Sequence, residues 1–188
     1  MIFLNIFDNY WTFHADLGGM TLPSQMIPHQ MRDYSRKSKH NGIACWKLID
    51  SDIASEEIVA LETVYKKTIP PSFRSFLQHK FYLDFRNVYS FSLDFFDLDP
   101  VNRLDLWKQR LEEEFRPFTD NGFLVIGTFQ DDTGVLCFDA NVETQDHEYP
   151  LVLIDYSFEA IEPLADDFKD FFQKLAAYTE KWKLKSEG

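Results

Sequence analysis

The chain has 188 residues, which suits a single domain, and its 45% hydrophobic and 16% aromatic content can fill a large core. This composition excludes an intrinsically disordered protein. The 31 acidic and 19 basic residues give a formal net charge of −12, which argues against a nucleic-acid or anionic-membrane partner.

The sequence also indicates the cellular compartment of the protein. The apolar start, residues 1–7, is short and has no basic residue before it, so it does not have the pattern of a signal peptide. No run reaches the roughly 18 apolar residues that a membrane span needs. Cys45 and Cys137 stand among apolar residues without motif spacing, which is typical of buried free thiols. We therefore expect a cytoplasmic protein.

The first part of the chain has the least regular pattern. Aromatic residues alternate loosely over residues 1–13, which favours a strand, and glycines and prolines then interrupt the pattern. Residues 32–40 are the basic cluster of the chain, interpreted as a solvated linker or as an arm that folds onto the acidic half of the same or a neighbouring protein. We expect residues 1–42 to form an N-terminal extension and residues 43–188 to form the domain.

Helical spacing begins after residue 52. Ile58, Leu61 and Tyr65 recur at intervals of three and four, and either Asp52 or Ser55 can cap the start of this helix. The segment Ile-Pro-Pro ends it, and Pro71 suits the first turn of a second helix. The predicted buried stripe of the second helix comprises Phe73, Phe76, Leu77 and Phe81.

A strand and a third helix are predicted next. Residues 88–96 alternate between small polar and apolar side chains, as in a sheet with one face on a core. Asp99 followed by Pro100 indicates the start of the third helix. The apolar side of that helix comprises Leu104, Trp107 and Leu111.

The second half of the chain is rich in strands. Residues 122–129, 135–138 and 151–154 are apolar runs, the first two joined by a hairpin turn at 130–134, and residues 158–161 suggest a further short strand. Apolar residues from Leu164 onward predict a long final helix. This order predicts an α+β single domain with a mostly antiparallel sheet and helices packed on one face.

Charge is strongly segregated along the chain. Residues 117–168 contain twelve acidic residues and no lysine or arginine, and outside this stretch 19 acids balance 19 bases. The apolar strands leave turns and strand ends for these acids, so we expect an acidic rim along one sheet edge that attracts a basic protein. The candidate partner-binding residues are Asp131, Asp132, Asp139, Asp146, Glu148 and Asp155.

Five segments resemble, in order and spacing, those of the SUKH superfamily. They are Ile-Ala-Ser-Glu-Glu-Ile-Val-Ala-Leu-Glu (53–62), Ile-Pro-Pro-Ser-Phe-Arg-Ser-Phe-Leu (69–77), the strand pair at 122–129 and 134–139, Tyr-Pro-Leu-Val-Leu-Ile-Asp (149–155), and Leu-Ala-Asp-Asp-Phe-Lys-Asp-Phe-Phe (164–172). The chain departs from the family at residues 80–86, which replace the usual glycines, and at Asp167, where serine is common.

The resemblance implies an α+β binding domain without established catalytic residues. Bacterial members of this superfamily are often immunity proteins that bind and neutralise a toxin, and fungal members regulate cell-wall glucan synthesis. We therefore expect a non-enzymatic, immunity-type protein without a cofactor, whose partner is a basic toxin. A regulatory or scaffold protein of the cell-wall type is the alternative within the family.

Catalytic motifs are absent from the sequence. It contains no nucleophile elbow, phosphate loop, dinucleotide fingerprint or zinc-binding motif, and its five histidines are scattered. Asp131 with Asp132, and Asp146 with Glu148, could supply oxygen ligands to a divalent cation, although aspartate is also an ordinary turn residue. A metal-dependent enzyme that uses the carboxylates of residues 131–148 remains the third alternative.

Overall fold

The computed structural model describes residues 2–16, 20–83, 93–129, 133–142, 144 and 146–186, with side chains as far as Tyr178. The helices in this part of the chain are α1 (Ile2–Asp16), α2 (Ser55–Tyr65), α3 (Pro71–Leu77), α4 (Asp105–Glu113), α5 (Arg116–Asp120) and α6 (Phe168–Ser186). Its strands are β1 (Thr21–Pro23), β2 (Ile43–Cys45), β3 (Ile49–Asp50), β4 (Lys80–Phe81), β5 (Leu93–Phe95), β6 (Phe123–Phe129), β7 (Gly134–Asp139), β8 (Leu151–Asp155) and β9 (Ile161–Ala165).

A five-stranded antiparallel sheet forms the centre of the molecule. Its strand order β5-β6-β7-β8-β9 follows the chain, so each strand pairs with the next. The pairs β1-β2 and β3-β4 form two small antiparallel sheets. The predicted α+β fold with an antiparallel sheet is confirmed. Of the strand predicted over residues 88–96, positions 93–95 form β5, and positions 88–92 lie outside the described residues.

Aromatic side chains join the sheet to the helices on one face. The ring of Phe138 in β7 lies 5.1 Å from that of Phe73 in α3 and 5.7 Å from that of Phe168 in α6, measured between centroids. Helix α1 packs beside α6. These contacts follow from the three-and-four spacing of apolar residues that predicted α3 and α6. The predicted helical layer on one face therefore comprises α1, α3 and α6.

A smaller aromatic cluster lies on the other side of β6. The register pairs Phe123 with Asp139 and Leu124 with Phe138, so Phe123 and Phe138 point to opposite faces. The ring of Phe158, from the β8–β9 turn, stacks 4.4 Å from that of Phe118 in α5 and lies 6.4 Å from that of Phe123. Helix α5 and this turn therefore cover part of the second face.

The N-terminal segment forms a helix, so the predicted strand over residues 1–13 is wrong. Phe3, Phe7 and Tyr10 are buried at intervals of four and three, which is a helical face. The rings of Phe3 and Phe7 lie 5.9 Å and 6.2 Å from that of Phe172 in α6. The alternation of aromatic residues over 1–13 was misleading because these rings are buried by α6, which comes from the other end of the chain.

The two arginines of the basic cluster bind the N-terminal segment itself. The Arg36 guanidinium donates to the Asp33 carboxylate (2.6 Å) and to the carbonyls of Ala15 (3.0 Å) and Trp46. Arg32 donates to two further carbonyls close to it in sequence. Neither a solvated linker nor an arm over the acidic half describes these two side chains, although Lys37 and Lys39 remain exposed.

The start of α2 differs from the prediction. Neither Asp52 nor Ser55 caps it: the Glu57 carboxylate accepts the Ala54 N–H at 2.9 Å, and Asp52 pairs with Arg103. The Arg103 guanidinium also donates to Glu57 and lowers the pKa of Glu57 to about 2. Arg103 lies 46 residues away from Glu57 in the sequence, so capping rules that use only neighbouring residues did not predict this pair.

Two other helix starts are also displaced. The Asp99 carboxylate accepts hydrogen bonds from the N–H groups of Val101 and Asn102. It therefore caps a turn rather than the third helix, since α4 begins at Asp105. Helix α6 begins at Phe168, where the Asp167 carboxylate accepts the Asp170 N–H at 2.7 Å. Leu164, predicted to open this helix, belongs to the last strand, which occupies 161–165 rather than 158–161.

A tyrosine of α2 donates a hydrogen bond to the backbone at a β-bulge in β6. The register of β6 against β7 shifts between Val125 and Gly127, and the Tyr65 hydroxyl donates to the Val125 carbonyl. Burial raises the pKa of Tyr65 well above its ordinary value. The neutral phenol therefore satisfies a buried carbonyl and fixes α2 against the sheet.

Replacing Tyr65 by phenylalanine is expected to lower the free energy of unfolding by about 1–2 kcal/mol, because the ring is kept and one buried acceptor loses its donor. Urea denaturation followed by circular dichroism measures the change. The matched control is Tyr34→Phe, since Tyr34 is 70% exposed and should show almost no effect. Equal stability of the two variants would contradict the proposed role of the hydroxyl.

Candidate functional site

Those predicted acidic residues that the structure describes lie at two opposite ends of the sheet. The register of β7 and β8 pairs Gly134 with Asp155 and Phe138 with Leu151. Asp139 therefore lies at the end where the β7–β8 loop begins, and Asp155 lies at the other end, roughly 17 Å away along the strands. The expected single acidic rim is wrong, because successive turns of an antiparallel meander alternate between ends. Asp131 and Asp132 lie outside the described residues.

At the first end, Asp139 and Asp146 have different environments. The Asp139 carboxylate accepts the backbone N–H (3.1 Å) and the side-chain amide (3.0 Å) of Asn141, which is ordinary turn chemistry. The Asn141 amide also donates to the Asn121 carbonyl, which joins this turn to the start of β6. Asp146 is exposed to solvent.

Glu148 is buried, with 2% of its surface exposed. Its carboxylate accepts the Ser72 N–H (3.1 Å) and the Ser72 hydroxyl at the start of α3, and it pairs with Lys169 (3.1 Å). This geometry satisfies a free N–H in the first turn of α3 and joins the β7–β8 loop to α3 and α6. The Glu148 side chain cannot form part of a partner-binding surface, so that prediction is corrected.

Three lysines lie among the acids of the first end. Lys66 pairs with Asp120 at 2.6 Å, and Lys67 donates to the Ala140 carbonyl at 3.2 Å. Lys169 pairs with Glu148, and the carboxylates of Asp146 and Asp167 help to raise its pKa. The surface beside the β7–β8 loop therefore carries both signs of charge, although the loop itself contains no lysine or arginine.

At the opposite end, the charged residues of the β8–β9 turn and of β9 are all acidic. The Ser157 hydroxyl and the N–H groups of Glu159 and Ala160 donate to Asp155 and hold the pKa of its carboxyl below the ordinary value. Glu159 and Glu162 are exposed. Among the described residues, no lysine or arginine forms an ion pair with Asp155, Glu159 or Glu162.

Two large apolar side chains are exposed beside these acids. Tyr156 is 46% exposed, with its ring 5.9 Å from that of Phe118, and Ile161 is 52% exposed. We call Asp155, Tyr156, Glu159, Ile161 and Glu162 the β8–β9 patch. Of these residues the sequence predicted Asp155 alone. The sequence signal that could have indicated this surface is the Ile-Glu-Pro segment at 161–163, since a proline in a strand indicates a sheet edge.

The described residues contain no group of three or more histidine, cysteine or acidic side chains that could hold a metal ion. Glu148 is already occupied by Ser72 and Lys169, and Asp139 is occupied by Asn141. Both cysteines are buried free thiols, as expected. Burial raises the pKa of Cys137 well above its ordinary value, which keeps this thiol protonated and unreactive.

A groove of about 370 Å³ lies between α2, α4 and α5. Its floor includes Val64 and Leu111, and its charged lining includes Lys66, Arg116 and Asp120. Asp120 lies 2.6 Å from Lys66 and 3.6 Å from Arg116, so the two cations already share a carboxylate of the same protein. The groove therefore does not define the chemistry of a ligand.

Together these features define a small α+β domain whose main structural unit is a five-stranded antiparallel meander. The family model described as SMI1 / KNR4 family (SUKH-1) matches residues 52–174, which is more than half of the chain, and the chain belongs to this family. No curated protein matches it. In the part of the chain that the structure describes, no helix is long and apolar enough to cross a membrane.

Proposed function

We propose that this protein is a non-enzymatic protein-binding domain of the immunity type, which binds and neutralises a cognate basic toxin. The observation that carries the proposal is the charge segregation, with twelve acids and no lysine or arginine in residues 117–168. Membership of the SMI1/KNR4 family supports it, because bacterial relatives within the wider superfamily include immunity proteins.

The mechanism would be occlusion of the toxin. Exposed carboxylates steer a cationic protein toward the surface and raise the association rate constant. A few apolar contacts that become buried in the complex then set the dissociation rate. This mechanism requires no catalytic group, and the toxin is inhibited for as long as the complex persists.

Co-expression tests the proposal directly. The gene for this protein is expressed together with each toxin-like gene of its genomic neighbourhood in turn, and growth of the host is measured with and without the protein. We expect growth to be rescued and the two proteins to purify as a complex. Failure to rescue growth or to form a complex with the neighbouring product would overturn the immunity assignment.

The salt dependence of binding separates this function from a cell-wall regulatory role. If the toxin is held through exposed charges, its Kd should rise about tenfold or more between roughly 50 and 300 mM salt, because screening shortens the reach of such charges. Isothermal titration calorimetry measures this change. A Kd that varies less than about twofold would favour a scaffold whose contacts are mainly apolar.

A further inference from the structure

We infer that the β8–β9 patch is the surface on which the basic partner docks, and that the β7–β8 loop end is not. This inference rests on the proposed function and adds a location to it. The patch combines two large exposed apolar side chains with three acids that pair with no described lysine or arginine, whereas at the other end of the sheet Lys66 and Lys169 pair with Asp120 and Glu148.

The apolar part of the patch lies on the second face of the sheet. The registers of β6 through β9 place Ile161 on the same face as Phe123 and Ile154. Tyr156 packs by one edge against Phe118 on this side, while almost half of its surface stays in water. An exposed aromatic and an exposed branched aliphatic residue on a rigid strand and turn are suited to become buried contacts in a complex.

The position of the patch at a sheet edge explains why these side chains are uncovered. Strand β9 is the last strand of the meander, and the described residues provide no strand beyond it. Ile161, Glu162 and Pro163 are all exposed. A partner could approach this edge without displacing any element of the described fold.

The edge is poorly suited to pairing with another strand. The Asp155 N–H donates to the Ala160 carbonyl, and hydrogen-bonded and non-hydrogen-bonded pairs alternate along an antiparallel ladder. The backbone groups of Ile161 and Pro163 therefore point away from β8, and proline has no N–H. Of these two residues only Ile161 has an N–H that an added strand could bind. We therefore expect the partner to bind through side chains rather than by adding a strand.

The charge of the patch selects a cationic partner. Asp155 is held in the turn by hydroxyl and N–H donors and has no lysine or arginine partner among the described residues, and Glu159 and Glu162 are exposed in the turn and the edge strand. At the other end Lys66, Lys67 and Lys169 lie close to the acids. A lysine- or arginine-rich surface with an apolar centre is complementary to the patch.

The location is tested first without the toxin. Hexalysine is titrated into the ¹⁵N-labelled protein at low salt, and amide chemical-shift changes are followed by NMR. We expect the amides of residues 155–162 to shift at least about twofold more than those of residues 139–148, because carboxylates without a cationic partner attract the probe more strongly. Equal or reversed shifts would overturn the charge argument.

Matched substitutions then test the surface against the purified toxin domain carrying an inactivating substitution. Ile161→Arg and Glu159→Lys alter the patch, and Val142→Arg and Asp146→Lys are the controls at the other end. Ile161 and Val142 have nearly equal exposure, 52% and 53%. We expect the patch variants to raise Kd by about tenfold to a hundredfold and the controls by less than about threefold.

The outcomes separate the location from the function. If the unmodified protein binds the toxin but the control variants weaken binding as much as the patch variants, the location is wrong and the immunity function stands. If the unmodified protein does not bind the toxin, the proposed function fails, whatever hexalysine shows. Circular dichroism of all four variants confirms that a change in Kd does not come from unfolding.

Discussion

Replacing Glu148 by alanine is expected to lower the free energy of unfolding by about 2–4 kcal/mol, a large effect for a residue in a polar loop. The substitution leaves the Ser72 N–H and hydroxyl buried without an acceptor at the start of α3. Lys169 loses its partner as well, but its side chain is 43% exposed and can turn toward water. The cost therefore arises mainly from Ser72.

The neighbouring acid provides a matched control for this prediction. Asp146 is two residues away in the same loop and is exposed, so Asp146→Ala should change stability by less than about 0.5 kcal/mol. Urea denaturation at neutral pH compares the two variants with the unmodified protein. A Glu148→Ala variant that loses less than about 1 kcal/mol would mean that Ser72 finds another acceptor and that the carboxylate does not hold α3 in place.

The central strands were predicted well because their pattern depends on local sequence. Residues 123–129 and 151–154 are mainly apolar, glycine precedes the first run, proline and aspartate flank the second, and both faces of these strands are largely buried. Pro71 marked the start of α3 for an equally local reason, since proline fits the first turn of a helix. Elements defined by short-range chemistry were therefore predictable to within one or two residues.

The remaining elements depend on contacts distant in sequence. The rings of α1 are buried by α6, and Glu57 is held by Arg103, so no local rule could identify either arrangement. Leu164 fits the apolar spacing of α6 equally well, but it lies in β9, where its neighbours Pro163 and Ala165 pair with β8. In each case tertiary contacts overrode a reasonable local pattern.

The candidate site was predictable in charge but not in arrangement. The absence of lysine and arginine from residues 117–168 is visible in the sequence. Whether each acid is exposed, capped or buried is decided by the neighbours that the fold supplies, such as Ser72 beside Glu148 and Asn141 beside Asp139. Compensating cations at one end come from α2 and α6, outside the acidic stretch.

The region that matches the family model begins at residue 52, but the hydrophobic core of this protein begins earlier. Helix α1 contributes Phe3 and Phe7 to the core, and α3 and α6 supply the rings that they contact. The N-terminal segment is therefore expected to be required for stability, although it lies outside the matched region.

Replacing Phe7 by alanine is expected to lower the free energy of unfolding by about 3–5 kcal/mol, the usual cost of removing a fully buried phenylalanine ring. Phe7 has no exposed surface, and its ring lies 5.0 Å from that of Phe76, 5.9 Å from that of Tyr82 and 6.2 Å from that of Phe172. The cavity would open between α1, α3 and α6, where three rigid elements meet and can relax only partly.

The same helix provides the control for this prediction. Ile2 is 84% exposed, so Ile2→Ala removes apolar atoms that are already in water and should cost less than about 0.5 kcal/mol. Thermal and urea denaturation of both variants measure the difference. If Phe7→Ala costs no more than Ile2→Ala, α1 does not pack on the domain in solution. A large difference would instead establish that residues before the family-matched region complete the core, because the cost of the lost ring depends on its contacts with α3 and α6.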